Sequence, residues 1–190
     1  MRRFGSETSS LSDEAVVSKT CSFYVCSECK KGCCQDAKPP LTEERKKIIR
    51  DYLTKQGILM KQPFKKKSYS FPSVDAMGFC VFYHRETKKC TVHPVKPETC
   101  RAGPVTFDIN RRTKKVEWFL KTRAICEFAA KLHQNDEQFA EHFKIAREEI
   151  LRLICKLDSE DLRAILSLEE PQTFKIGEDA LPQKVVDKFG

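Results

Sequence analysis

Cys26-Ser27-Glu28-Cys29-Lys30-Lys31-Gly32-Cys33-Cys34 puts four thiols into nine residues. Soft sulfur donors this close on a short turn can converge on one metal centre, and no ordinary packing role asks for them. Cys26 and Cys29, with two residues between them, form half of a zinc knuckle or of an iron–sulfur site. A second Cys-x2-Cys pair, which a zinc ribbon needs, does not follow. Cys33 and Cys34 are neighbours instead. Their side chains diverge and serve one tetrahedral ion poorly, so the pattern favours an iron–sulfur cluster or a multinuclear centre. The radical S-adenosylmethionine spacing, Cys-x3-Cys-x2-Cys, fails, because its third position counted from Cys29 and Cys33 is Asp36.

Working outward, Cys80, Cys90 and Cys100 follow at even intervals and Cys126 comes later, while Cys21 and Cys155 stand outside the series. Ten cysteines in 190 residues is about twice ordinary usage. A disulfide framework needs an oxidising compartment. Met1 to Ser10 has basic residues but no apolar run behind them, so reduced thiols and a cytoplasmic location are expected. No run of about 18 apolar residues occurs, and no membrane partner is expected. With 40% apolar and 33% charged residues, the chain can bury a core as a single domain.

The net charge of +8 is unevenly placed: residues 61–123 hold 15 Lys and Arg against five Asp and Glu. Such a segment can attract nucleic acid or an acidic protein. It can equally consist of solvated loops whose cations offset bound thiolates. Lys65-Lys66-Lys67-Ser68-Tyr69-Ser70-Phe71 mixes bases with aromatics, as single-strand binders do and as plain loops also do.

Residues 1–20 read as a flexible tail. After Pro39-Pro40, Thr42 caps a helix that opens on Glu43-Glu44, carries Ile48, Ile49, Tyr52 and Leu53 as its apolar stripe, and stops at Gly57. Residues 79–83 and Cys90-Thr91-Val92 are expected as a short hairpin. Val105, Phe107 and Ile109 alternate, as do Val116, Trp118 and Leu120, which predicts a second hairpin turning at 110–115. Pro94, Pro97 and Pro104 favour a rigid, loop-like path through Cys100. Helices are expected over 124–133, from an Asn135 cap with Gln138 in capping-box position, and from a Ser159 cap to Leu168. Phe139, Phe143, Ala146, Ile150, Leu153 and Leu157 fall on one stripe of the long helix. Residues 21–170 then form one cysteine-cluster domain with a helical C-terminal part, and 171–190 an extended tail. The fold class is α+β: a small cysteine-rich, metal-stabilised domain with short β-hairpins, an early helix and C-terminal helices.

The cluster Cys26-x2-Cys29-x3-Cys33-Cys34, the later Cys80 and Cys90, and the stretch Cys90-Thr-Val-His93-Pro94-Val-Lys96-Pro97-Glu-Thr-Cys100-Arg101-Ala-Gly-Pro104 resemble the CxxCxxCC cysteine-cluster family, described as zinc- or iron-chelating. The motif is also similar to that of flagellin lysine-N-methylase, which is held to bind an iron–sulfur cluster. The resemblance covers roughly residues 21–130. It implies Cys26, Cys29, Cys33, Cys34, Cys80, Cys90, Cys100 and Cys126 as metal ligands, enough for two four-ligand centres or one 4Fe–4S cluster and one zinc. Eight thiolates would sit well beside the local excess of Lys and Arg. Arg101 can donate to a ligand sulfur, and His93, between Cys90 and Cys100, is a further candidate ligand.

Cys155 sits in an apolar helical context that suits a buried free cysteine. His84, His133 and His142 read as surface or core histidines. No single cysteine stands out as an attacking nucleophile, so no catalytic residue is assigned. The leading expectation is a metal-binding protein holding an iron–sulfur cluster, or zinc or iron. The alternatives are a zinc-organised module that binds nucleic acid or protein, and a methyltransferase-related enzyme.

Overall fold

The computed structural model describes residues 33–169 and 172–189. The tail expected over 1–20 and Cys21, Cys26 and Cys29 lie outside the described residues. Helices and short antiparallel sheets alternate along the chain, which makes the fold α+β as expected.

Helix α1 (Glu43–Lys55) begins where its cap predicts: Thr42 Oγ1 accepts the Arg45 N–H at 3.1 Å, with Glu43 and Glu44 in the first turn. Gly57, at φ 67°, takes the left-handed conformation that ends it. Its buried face runs Arg45, Lys46, Ile49 and Leu53. Ile48, expected on the apolar stripe, is exposed, because a buried arginine turns the inward face toward Arg45.

Strands β1 (Phe64–Lys66) and β2 (Ser70–Pro72) pair as a hairpin inside the lysine-rich stretch, with Phe64 opposite Pro72. Strands β3 (Tyr83–His84) and β4 (Lys89–Cys90) form the hairpin expected around 84–89. It is shorter than its apolar run, because Phe79 bridges to Gln35 and Cys80 to Val74. Pro94 lies in a 3-10 turn (His93–Val95), and α2 (Glu98–Ala102), entered from Pro97, carries Cys100. The loop-like path expected there is therefore a helical turn at the cysteine itself.

Strands β5 (Val105–Asn110) and β6 (Lys115–Lys121) make the second hairpin, with Val105 opposite Leu120 and Phe107 opposite Trp118. Val116, Trp118 and Leu120 alternate inward and are fully buried. Helix α3 (Glu127–Leu132) is followed by α4 (Asp136–Lys156), whose Asn135 cap accepts the Gln138 N–H at 2.9 Å. Ala146, Ile150, Leu153 and Leu157 pack beneath the sheet. Helix α5 (Ser159–Leu166) is capped by Asp158 rather than Ser159, through a 2.7 Å bond from the Asp161 N–H.

Residues 173–180 are extended, and as β7 (Thr173–Ala180) they add a third strand beside β6. Trp118 Nε1–H donates to Asp179 at 2.6 Å across that pairing. The short α6 (Gln183–Val186) then buries Val185 against α4. Lys188 donates its ammonium protons to the carbonyls of Ile154, Cys155 and Leu157, satisfying the open end of α4.

Two main apolar clusters result. The larger joins the three-stranded sheet to α4, α5 and α6. The second gathers Leu41, Ile49, Leu53, Phe82 and Val92, and Cys80 and Cys90 pack directly on it. Each large side chain fully buried there contributes roughly 1.5–3 kcal/mol, so the segment holding these cysteines has a hydrophobic floor of its own.

Candidate metal centre

Backbone hydrogen bonds bring the first cysteine cluster to the second. The Cys80 N–H donates to the Cys34 carbonyl at 2.9 Å, and the Asp36 N–H donates to the Gly78 carbonyl at 2.8 Å. Gln35 and Phe79 bridge between those two bonds. Forty-odd residues of chain, including α1 and the first hairpin, therefore close a loop onto Cys34. From Cys80 the chain turns tightly, with the Tyr83 N–H donating to the Cys80 carbonyl at 2.8 Å, and β3 sets Tyr83 opposite Cys90. Cys100 arrives on α2, ten residues later.

Helix α2 is held from two sides. Glu98 Oε1 accepts from Arg45 Nε of α1 at 2.9 Å, and Arg101 Nε lies 3.1 Å from Glu149 Oε1 of α4. His142 Nε2–H donates to the Ala102 carbonyl at 3.0 Å. Arg101 also reaches the Pro94 carbonyl at 3.4 Å. Through these contacts Arg101 anchors the Cys100 helix.

The thiols perturb one another. A hydrogen bond from Cys34 lowers Cys33 to about 6, aided by the positive charges of Lys121 and Lys96. The same hydrogen bond and burial push Cys34 upward, and the charges of Cys33, Cys100 and Cys90 add to the effect. Burial raises Cys80 to about 11, opposed by the Phe82 backbone N–H and reinforced by Cys90. Burial raises Cys90 too, opposed by the Val92 N–H and Lys96. Cys100 rises through burial, with Lys96 opposing and Cys90, Cys80 and Cys33 reinforcing. Cys33 and Cys100 still reach solvent; the protein packed around them penalises the thiolate without sealing it off.

Cys33, Cys34, Cys80, Cys90 and Cys100 thus share one electrostatic neighbourhood with Lys96 and Lys121. At both Cys80 and Cys90 the N–H two residues on favours the thiolate. Hydrogen bonds to sulfur of this kind stabilise the ligating form. Among the described residues, no three His, Cys, Asp or Glu side chains stand close enough together to hold a metal ion. The donor chemistry fits a soft metal, and Cys26 and Cys29 immediately precede the described part of the cluster.

The other expected residues fall elsewhere. Cys126 is half-buried at the start of α3, against the cluster of Phe128 and Leu132. Lys121, which acts on Cys33, lies five residues before it. His93 opens the 3-10 turn between Cys90 and Cys100, and burial with Lys96 and Arg101 lowers it to about 4, so it is neutral near pH 7. His142 is a core histidine, His84 and His133 lie at the surface, and Cys155 is half-buried against the larger core.

The sequence signal for Lys96 is its position between Cys90 and Cys100, and none marks Lys121. Three further cations of the basic segment are engaged within the fold. Arg85 pairs with Asp75, Lys115 with Glu178, and Arg111 lies over the Phe189 ring.

Residues 25–127 match the model of the CxxCxxCC family, described as "Putative zinc- or iron-chelating domain". The chain belongs to this family. The match runs from just before Cys26 to just past Cys126 and so takes in all eight cysteines of the series. Cys29 and Cys33 are separated by three residues where the family's title pattern has two. No curated protein and no solved structure matches the chain. Among the described residues, no helix is long and apolar enough to cross a membrane.

Proposed function

From its place in a zinc- or iron-chelating family, we propose that this chain is a metal-binding protein whose cysteines hold an iron–sulfur cluster. The observation that supports the reading is that Cys33, Cys34, Cys80, Cys90 and Cys100, drawn from three separate parts of the chain, perturb one another's ionisation. Cys26 and Cys29 join this set in the proposal, and Cys126 is its outermost candidate.

Several features support a thiolate-rich centre. Vicinal Cys33 and Cys34 share a hydrogen bond, so one of them ionises readily while the other stays protonated until a metal displaces its proton. The Phe82 and Val92 N–H groups are already placed to favour charge on Cys80 and Cys90. Lys96 and Lys121 offset part of the negative charge that several thiolates bring. A bound cluster would supply electron transfer or a structural tie. The residues described here hold the thiols, exclude part of the solvent and stabilise the ligating form.

Vicinal cysteines and an excess of thiols over four favour a cluster over a single zinc. The test is anaerobic purification with iron, zinc and acid-labile sulfide measured together. Iron and sulfide in stoichiometric amounts, with the broad visible absorption of iron–sulfur charge transfer, is the expected result. A colourless protein with stoichiometric zinc and no labile sulfide would replace the cluster by zinc.

A further inference from the structure

Arg45 lies on α1, far from the cysteines in sequence, yet its guanidinium is among the most enclosed charges of the fold. Its side chain is 7% exposed, that of Glu98 3% and that of Glu149 6%. Arg45 Nε donates to Glu98 Oε1 at 2.9 Å, and Arg45 Nη2 lies 3.5 Å from Glu149 Oε2. Arg101 and Arg152 reach the other Glu149 oxygen at 3.1 and 3.2 Å. One arginine thus ties together α1, the Cys100 helix and the middle of α4.

This network is poor glue. Glu98 Oε2 and Glu149 Oε2 make no hydrogen bond among the described residues, so Arg45 meets Glu149 only as a charge and the desolvation of both carboxylates is only partly repaid. Buried ion pairs of this kind stabilise a fold no better than apolar side chains of similar volume. Their distinctive property is directional: a planar guanidinium fixes where two carboxylates stand. Here the fixed object is α2, a helix of only five residues that carries Cys100 between Glu98 and Arg101. So short a helix has little stability of its own. Its position is therefore set by what grips Glu98, Arg101 and Ala102.

We infer that Arg45 is a positioning residue for the cysteine centre, setting where Cys100 stands relative to Cys34 and Cys80 through Glu98 and Glu149. The inference rests on the metal-binding reading above and adds to it a regulator of geometry that is not a ligand. Helix α1 is the element that follows the first cysteine cluster, and α2 carries the last thiol of the converging set. Arg45 is thus a direct tie between the two ends of the site, independent of the Cys34–Cys80 backbone bond.

The probe is Co2+ titrated anaerobically into the metal-free full chain, followed by its thiolate charge-transfer and ligand-field absorption. The double substitution Arg45→Met with Glu98→Met removes the ion pair without leaving either charge unpaired. Its metal-free melting temperature is expected to stay within a few degrees of the original or to rise, while Co2+ affinity falls by about tenfold or more and the ligand-field bands shift. Arg45→Lys keeps the charge but cannot bridge two carboxylates, and is expected to lie between the two; it supplies the reading if the double variant does not fold. Ile150→Val, in the other core, controls for stability and is expected to leave the Co2+ spectrum unchanged. Unchanged affinity and bands in the Arg45 variants, or a loss no greater than in Ile150→Val at equal melting temperature, overturns the inference while leaving the metal centre standing. Absence of any thiolate–Co2+ band in the unsubstituted chain removes both readings.

Discussion

The Cys80 N–H donates to the Cys34 carbonyl at 2.9 Å, joining two cysteine clusters that are 46 positions apart in the chain. With the Asp36-to-Gly78 bond beside it, this makes a short antiparallel clasp. The clasp ties Cys34 to Cys80, which packs with Cys90 on the second apolar cluster. The same local geometry explains why a glycine stands at position 78.

Gly78 sits at φ 83°, and a methyl group there would run into the Asp36 carboxylate. Gly57, at φ 67°, has open space around the equivalent position. Gly57→Ala should therefore cost only the left-handed backbone strain, about 1–2 kcal/mol. Gly78→Ala should cost more, because the Asp36 carboxylate beside the clasp must also turn away, and should lower metal content if the clasp sets the site. Denaturant unfolding and metal analysis of the two variants check this; equal effects would show that the clasp does not set the site.

Cys33 is expected to be the most reactive of the described thiols in the metal-free chain, because its pKa falls to about 6 while Cys80 and Cys90 are raised. Iodoacetamide labelling followed by mass spectrometry should modify Cys33 first, with its rate rising through pH 6. Labelling of Cys80 at the same rate would contradict the Cys33–Cys34 hydrogen bond. Metal loading should protect both.

His93 is held to about 4 by burial, Lys96 and Arg101, and burial also lowers His142, against a usual 6.5. The unfolded chain then binds more protons than the folded one between these values. The contribution of these histidines to the stability of the metal-free protein should fall as pH drops from about 6.5 toward 4 and level off below, where the ion-paired Glu178, held to about 2, takes over the decline. His142→Gln should flatten part of that slope in urea unfolding measured across this range. A slope of opposite sign would mean that these histidines gain partners on folding.

Local signals were legible where one residue decides the outcome. The Thr42 and Asn135 caps, the stop at Gly57 and the alternation through Val116, Trp118 and Leu120 all appear where their chemistry places them. The clasp was not legible, because Gln35 and Phe79 pair as an isolated bridge with no alternating run to announce it. Arg45 was hidden for a different reason: an arginine in a helix reads as surface until Glu98 and Glu149 are seen to enclose it. Residues 171–190 read as an extended tail, because nothing in their sequence announces that 173–180 pair with the Lys115–Lys121 strand or that 183–186 turn into a helix. The cysteine series itself was legible, and five of its eight members share one neighbourhood among the described residues.

The central claim is that thiols from distant parts of the chain hold one centre, and metal content after single substitutions tests it most directly. Metal should be measured in anaerobically purified Cys34→Ser, Cys80→Ser, Cys100→Ser and Cys155→Ser. The first three should lose most of their metal and destabilise the fold, since binding free energy in such sites is folding free energy. Cys155→Ser, at a half-buried cysteine packed on the other core, should keep its full complement. Full metal retention in Cys100→Ser, or loss in Cys155→Ser, would contradict the centre as drawn.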